Sequence, residues 1–372
     1  MPRALVTGGA GFIGGALARR LASAGYEVVI LDSLLPQVHG QAGPDALAAD
    51  LVHADVRDQT AVRKAMEGID VVHHLAAETG VGQSQYELAR YVGTNAHGTA
   101  VVLQAAAEVG VGQVVITSSR AVYGEGRQRC SGCSRVFAPE ARRVAVLDAG
   151  RWEAPCPRCG AAGVAEPTPE SSPPAPTSVY GLTKLHQEQL AATVSATHGL
   201  PVTVLRLFNV FGPGQSMTNP YVGVLGTFFR HARAGRPVEV YEDGLMLRDF
   251  VFVDDVVEVL ARVTANPGAF GRTWNVGAGE AVTLLDVAKE MFDAMGLEPR
   301  FSVSGRYRVG DVRHAVADVS RLDAELGYRP STPFAEGLRQ FVAWAAATGG
   351  HADDDGAAEQ LEARRLLRGG GR

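Results

Sequence analysis

The chain predicts an α/β protein built on a doubly wound parallel sheet. Short β-branched runs alternate with segments of helical spacing through residues 1–125, and a glycine-rich turn joins the first run to the first helical segment. One stretch breaks the pattern. Across residues 127–176 the alternation gives way to Cys, Pro, Gly and Arg, and all four cysteines fall there in two tight pairs.

The runs "ALVTG" from Ala4, "EVVILD" from Glu27, "DVVHHLA" from Asp70 and "QVVITSS" from Gln113 are short and rich in β-branched residues. That character suits strands covered on both faces. Between them, Gly14 to Ala24 and Asn95 to Glu108 carry helical spacing. Regular alternation resumes with a helix around Tyr180 and the strand "PVTVLRLF" from Pro201. The expected organisation is a first domain over 1–211 with an insertion at 127–167, and a smaller lobe over 212–348 with the chain crossing between lobes. A polar, Gly-flanked tail over 349–372 is expected to be flexible.

With 372 residues, 46% of them hydrophobic and 20% charged, the chain is long enough for one large core or two lobes sharing an interface. A net charge of −5 gives no electrostatic footprint for nucleic acid. No apolar run approaches the roughly 18 residues of a membrane span. "MPRALVTGG" enters a strand directly, without the pattern of a signal peptide. A cytoplasmic protein is expected, and in that reducing compartment thiols stay free unless a metal holds them.

"TGGAGFIGG" places Gly8, Gly11 and Gly14 between the first strand and the first helix. Such a loop lets backbone approach a pyrophosphate, and the helix N-terminus supplies N–H donors and a positive dipole. A glycine triplet alone marks many tight turns. Here the strand before it, the helix after it and Asp32 at the end of the second strand agree on a Rossmann-type dinucleotide site. Asp32 is placed to accept both ribose hydroxyls of the adenosine half and to repel a 2′-phosphate. "DSLLPQ" offers no arginine to hold one, so NAD is expected rather than NADP. Asp55 in "HADVRD" has two open readings: a partner for the adenine amino group, or an N-cap for the next helix.

"SVYGLTKLHQE" puts Tyr180 and Lys184 one helical turn apart on one face. A lysine cation lowers the pKa of a neighbouring phenol, which then takes a proton from a substrate hydroxyl. Lys184 is also suited to bond the nicotinamide ribose.

Joined to the glycine loop and to "TSSRAVYG", this pair resembles the extended short-chain dehydrogenase/reductase family, in its sugar-nucleotide epimerase/dehydratase branch. The similarity runs from Arg3 to about Ala347, interrupted by the cysteine segment. The resemblance implies that Ser119 completes a Ser–Tyr–Lys triad with its hydroxyl on the sugar C4 oxygen. It adds Phe12, Ile13 and Val56 to the cofactor site, together with Leu75, Ala76, Ala77 and Asn95. For the substrate's diphosphate and nucleoside it implies Asn209 in "RLFNVFGP", Arg248 in "RDFVFVDD", Arg308 in "RVGDVRHAVAD" and Asn219 in "SMTNPY", with Thr79 and Arg120 near the sugar.

Two departures narrow the branch. The 4,6-dehydratases usually carry Asp-Glu where this chain has Arg120 and Ala121, and UDP-galactose 4-epimerases often carry lysine where Thr79 stands. "AAETGVGQSQYE", "SSRAVYGEG" and the cysteine insert look most like the dTDP-L-rhamnose 4-epimerase group. The implied activity is NAD-dependent 4-epimerisation of a nucleotide sugar through a 4-keto intermediate, on a dTDP-6-deoxyhexose such as dTDP-L-rhamnose. The alternatives are a UDP-hexose or UDP-hexuronate 4-epimerase and an NAD-linked 4-ketoreductase. A non-catalytic dinucleotide sensor has no use for Ser119, Tyr180 and Lys184 together. The family also implies a homodimer through the helix of Tyr180 and the one following Asn95. His73 and His74 are read as strand-end packing.

Cys130, Cys133, Cys156 and Cys159 stand in a C-x2-C-x22-C-x2-C frame, the spacing of a zinc ribbon. A Cys₄ site is coordinatively closed, so the expected metal is a structural zinc. The insert begins a few residues after Ser119 and is expected to emerge near the mouth of the active site, over the substrate or a neighbouring subunit.

Overall fold

The structure is a computed structural model and describes residues 1–40, 49–217, 219, 221, 223–348 and 356–369. Seven strands form its main sheet: β1 (Arg3–Thr7), β2 (Glu27–Asp32), β3 (Asp50–His53), β4 (Val71–His74), β5 (Gln113–Ser119), β6 (Val202–Leu207) and β7 (Thr273–Val276). Their order is β7-β6-β5-β4-β1-β2-β3, and every pairing is parallel. β4, β5 and β6 are buried along their whole length, as expected for strands with both faces covered. Connections leave β1 toward β2 and β3 on one side, whereas β4 to β7 lie on the other. The crevice at the carboxyl ends of β1 and β4 is therefore the switch point where open α/β sheets take ligands.

The Phe12–Ser23 helix buries Gly14, Leu17, Ala18 and Leu21, one continuous stripe, and packs on the Val253–Thr264 helix. That second helix and β7 both come from the later part of the chain, so the chain crosses back to the main sheet. Smaller ladders complete that part: Asn209–Phe211 with Phe250–Phe252, Val238–Val240 with Phe301–Val303, and Leu247–Arg248 between Val282–Thr283 and His314–Ala315. No helix among the described residues is long and apolar enough to cross a membrane.

The insert is a small antiparallel sheet, Arg127–Cys130 between Val136–Phe137 and Gly163–Glu166, with a short helix at Val144–Asp148. The tail departs from the flexible segment expected. Residues 349–355 and 370–372 lie outside the described residues, but Gly356–Ala363 is helical and Leu367–Arg368 pairs antiparallel with Tyr307–Arg308. Leu361 and Leu367 are buried, and the Leu361 side chain lies against Gly82. Leu361 and the Leu366–Leu367 pair in a polar stretch carry no periodic signal; the burial of Leu361 and Leu367 comes from contacts distant in sequence.

Candidate active site

A cleft of about 650 Å³ opens at the carboxyl ends of β1, β2, β4 and β5. Gly8, Gly11, Phe12, Ile13 and Gly14 form its floor. Gly8 has φ +69°, and a Cβ there would lie 2.8 Å from the Ala76 nitrogen. A Cβ on Gly14 would lie 2.2 Å from the Gly8 oxygen, a backbone clash that nothing can relieve by rotation. Gly11 caps the Phe12–Ser23 helix without any side-chain acceptor, so the first-turn N–H groups are left for a ligand.

Asp32 ends β2 on the cleft wall, nearly buried. Its Oδ1 accepts from the Leu34 N–H at 2.9 Å and its Oδ2 from the Ala10 N–H at 3.1 Å, which fixes the carboxylate beside the glycine loop. His39 Nε2 stands 3.4 Å from Asp32 Oδ1. Asp55 and Val56 also line the cleft. Of the two readings for Asp55, the cap belongs to another residue: Asp58 accepts from the Ala61 N–H at 3.0 Å and caps Gln59–Ala65. Asp55 is instead held by hydrogen bonds from the Arg57 side chain, which keep its carboxyl below the usual range.

Leu75, Ala76, Ala77 and Thr79 follow β4 along the cleft. Asn95 does not line it. It is fully buried, donating to the Glu78 carbonyl and Thr183 Oγ1 at 3.0 Å and accepting from the Glu78 N–H at 2.8 Å. Asn95 thus shapes the loop that carries Glu78 and Thr79 rather than facing a ligand. Glu78 and Arg90, paired at 2.8 Å, do line the cleft and were not foreseen, although Glu78 adjoins Thr79 in sequence.

Ser119, Tyr180 and Lys184 all face the same cleft. Ser178 caps the Val179–His198 helix, accepting from the Gly181 N–H at 3.1 Å. Gly181 lets that helix approach the residues after Ser119: a Cβ there would lie 2.6 Å from the Ala121 oxygen. Ser119 Oγ accepts from the Ala121 N–H at 3.2 Å, which orients the hydroxyl. Burial raises the Tyr180 phenol, while the hydrogen bond from Ser119 and the Arg120 cation act to lower it. The sequence assigned that lowering to Lys184. Lys184 Nζ donates to the Thr117 carbonyl at 2.9 Å, and burial leaves the phenol above its ordinary value. Burial in turn pushes Lys184 down to about 8, opposed by Glu188.

Asn209 and Asn219 line the far wall. Asn209 Oδ1 and Gln215 Oε1, both on this cleft, are buried without a hydrogen-bond partner among the described residues, so the wall presents polar atoms suited to a polar ligand. Arg120, Arg248 and Arg308 are not on this wall. They gather beside it around Asp311, whose carboxyl burial raises but Arg248, Arg120, Arg308 and Arg142 together hold below the usual range. Burial and the Arg248 charge push Arg120 down to about 10. Four arginines facing one carboxylate suit a diphosphate. Arg308 also lies over the Tyr241 ring at 5.1 Å.

The four cysteine sulfurs lie within 4.8 Å of one another. Cys130 and Cys159 Sγ are 3.3 Å apart, Cys133 and Cys156 Sγ 3.8 Å, and the Gly132 and Cys133 N–H groups each point at Cys130 Sγ from 3.3 Å. Four thiolates 2.3 Å from one tetrahedral ion stand about 3.8 Å apart.

The family model for the NAD dependent epimerase/dehydratase family matches residues 4–140 and 158–277. A dTDP-L-rhamnose 4-epimerase of Burkholderia thailandensis is 39% identical over 350 residues, covering 92% of this chain and 94% of that protein. Among solved structures, MoeE5 in complex with UDP-glucuronic acid and NAD superposes with a TM-score of 0.76 at 30% identity, covering 93% of this chain and all of that one. A UDP-glucose 4-epimerase from Thermotoga maritima, solved with UDP-glucose, gives 0.76 at 28% identity over 93% of this chain and 99% of that one.

Proposed function

Because this chain belongs to the NAD dependent epimerase/dehydratase family, we propose that it is a nucleotide-sugar 4-epimerase working through a 4-keto sugar. The proposed substrate is a dTDP-6-deoxyhexose such as dTDP-L-rhamnose, and the 39% relative supports that choice. The observation that carries the reading is the convergence of Ser119, Tyr180 and Lys184 on the cleft that the glycine loop floors.

The glycine cradle, the uncapped helix N-terminus and the Asp32 carboxylate fit NAD, with Asp55 available to the adenine amino group. Bound there, NAD would supply a reversible hydride acceptor for the sugar C4 carbon, with no net redox over the cycle. Tyr180 takes the C4 hydroxyl proton as the carbonyl forms and returns it as the hydroxyl is restored on the opposite face. Ser119 donates a hydrogen bond to the same oxygen, and Lys184 holds the nicotinamide ribose. Arg120, Arg248 and Arg308 supply the positive charge for the diphosphate, and Asn209 and Asn219 the polar wall for the nucleoside. At the positions where dehydratases carry Asp-Glu, Arg120 and the buried methyl of Ala121 provide no acid–base pair for eliminating water.

The thiols of Cys130, Cys133, Cys156 and Cys159 form a closed structural zinc site in this reading, supported by four sulfurs within 4.8 Å of one another. A homodimer through the Tyr180 helix and the one following Asn95 is supported by exposed Leu182 on the former and by exposed Leu88 and Val92 on Leu88–Tyr91 and the π-helical turn Val92–His97, which lead into the latter. The reaction is tested with dTDP-L-rhamnose deuterated at C4. The epimer formed keeps its deuterium, because the same hydride returns; complete loss of the label to solvent contradicts hydride return.

A further inference from the structure

Arg142 sits in residues 141–157, the gap in the family match, yet its side chain is almost wholly buried away from the insert's own sheet. It reaches into the later part of the chain. Its Nε donates to Glu125 Oε1 and its Nη1 to Glu242 Oε2, both at 2.9 Å, and its Nη2 donates to the Asp311 carbonyl at 3.1 Å. Glu153, in the same segment, accepts from Arg313 Nε at 2.8 Å and Nη2 at 2.7 Å, and its other oxygen lies 3.0 Å from His314 Nε2. Glu125 closes the arrangement by accepting from the Arg313 N–H at 2.6 Å.

The stretch from Asp311 to His314 is therefore gripped from one side by the insert. From the other side it holds Arg248, whose guanidinium donates to the Val312 carbonyl at 2.9 Å, the Arg313 carbonyl at 3.0 Å and Asp311 Oδ1 at 3.2 Å. Arg120 and Arg308 face the same Asp311 carboxylate. We infer that Arg142 is a positioning residue for nucleoside-diphosphate binding: the cysteine-rich insert fixes, through Arg142, the backbone and carboxylate that aim the Arg248, Arg120 and Arg308 cluster. This rests on the nucleotide-sugar reading above. The insert in this account neither covers the sugar nor touches it; it sets the charge geometry beside the cleft.

A surface ion pair has no such reach. Glu125 and Glu242 are themselves buried, so removing the Arg142 guanidinium strips one cation from both; Glu125 keeps the Arg313 N–H and Glu242 keeps Arg313 Nη1 at 3.0 Å, and uncompensated negative charge is left next to the anion site. Their negative charge and the freed Asp311 carbonyl both oppose an incoming diphosphate.

The test is calorimetric binding of dTDP, with UDP as a second probe, to the full-length protein carrying its bound NAD. Arg142→Ala weakens dTDP on the order of tenfold or more, with NAD content and cysteine-site metal unchanged. Arg142→Lys, which keeps a charge but not the fork, falls between the two. Glu153→Gln, which keeps the shape and leaves Arg313 its bonds to Asp243, weakens dTDP by about threefold and guards against misfolding of the alanine variant. Val164→Ser, on an exposed edge of the insert, leaves binding at the wild-type value. Wild-type protein that binds neither dTDP nor UDP refutes the nucleotide-sugar reading. Wild-type protein that binds while Arg142→Ala and Glu153→Gln both bind within twofold of it refutes this inference alone.

Discussion

Acid destabilises this fold through two histidines at the end of β4. His73 and His74 are completely buried, and burial pushes each down to about 3, with the Lys184 charge adding to the effect on His74. His74 bonds Thr7 Oγ1 at 2.8 Å and Thr99 Oγ1 at 2.9 Å; His73 Nε2 lies 2.9 Å from Thr264 Oγ1 and its Nδ1 has no partner among the described residues. Nothing there rewards a second proton on either ring. In the unfolded chain both rings titrate near 6.5, so between about 6.5 and 3 the unfolded state binds protons that the folded state does not. The folded pKa is depressed, so the stability is complete above 6.5 and is lost as pH falls toward 3. One unit below 6.5, each ring costs about 1.4 kcal/mol, or roughly 3 kcal/mol for the pair. Urea denaturation at pH 7.5 and 5.5, with protein and NAD concentrations fixed, reads this as a fall in unfolding free energy. A double variant, His73→Phe with His74→Gln, loses that part of the pH dependence whatever its absolute stability. Equal losses in wild type and double variant between the two pH values refute the assignment.

Tyr180→Phe removes the proton acceptor with little change in volume and lowers kcat by roughly 10²–10⁴-fold while NAD and dTDP remain bound; near-wild-type turnover removes Tyr180 from the chemistry. Elemental analysis finds one zinc per chain, and Cys156→Ser loses the metal and loosens residues 127–167 to hydrogen exchange while NAD stays bound. An active protein with an ordered insert and no metal contradicts that. Light scattering gives twice the chain mass at micromolar concentration, and Leu182→Glu shifts it toward the monomer; a monomer throughout sinks the proposed interface.

Much of the fold was legible because its signals are local. β1, β2, β4 and β5 are short runs rich in Val and Ile, since both their faces are covered, and within the glycine loop Gly14 is required by the Gly8 oxygen, although Gly8 itself is required by Ala76, just past the end of the neighbouring strand β4. β3 was harder: "DLVH" is an edge strand with three of its four residues exposed, so it has no apolar run to read. The Tyr180–Lys184 pair shows as a helical spacing. The hold of the insert on Asp311 to His314 does not, because Arg142 meets Glu242 across 100 residues and Glu153 meets Arg313 across 160. Asn95 shows the limit in the other direction. The resemblance placed it at the cofactor site, but the π-helical turn Val92–His97 buries it against Glu78 and Thr183 instead of aiming it at the cleft.

The central claim is a 4-epimerase that carries its own cofactor. Its most direct test is incubation of the purified protein, without added NAD, with dTDP-L-rhamnose and with UDP-glucose and UDP-glucuronic acid, followed by proton NMR of the sugar. The account predicts that the C4 epimer of dTDP-L-rhamnose appears and reaches equilibrium with no net change in the NAD pool. A 4-keto-6-deoxy product, accumulation of reduced cofactor in step with product, or no conversion of any of the three sugars by NAD-loaded protein contradicts it.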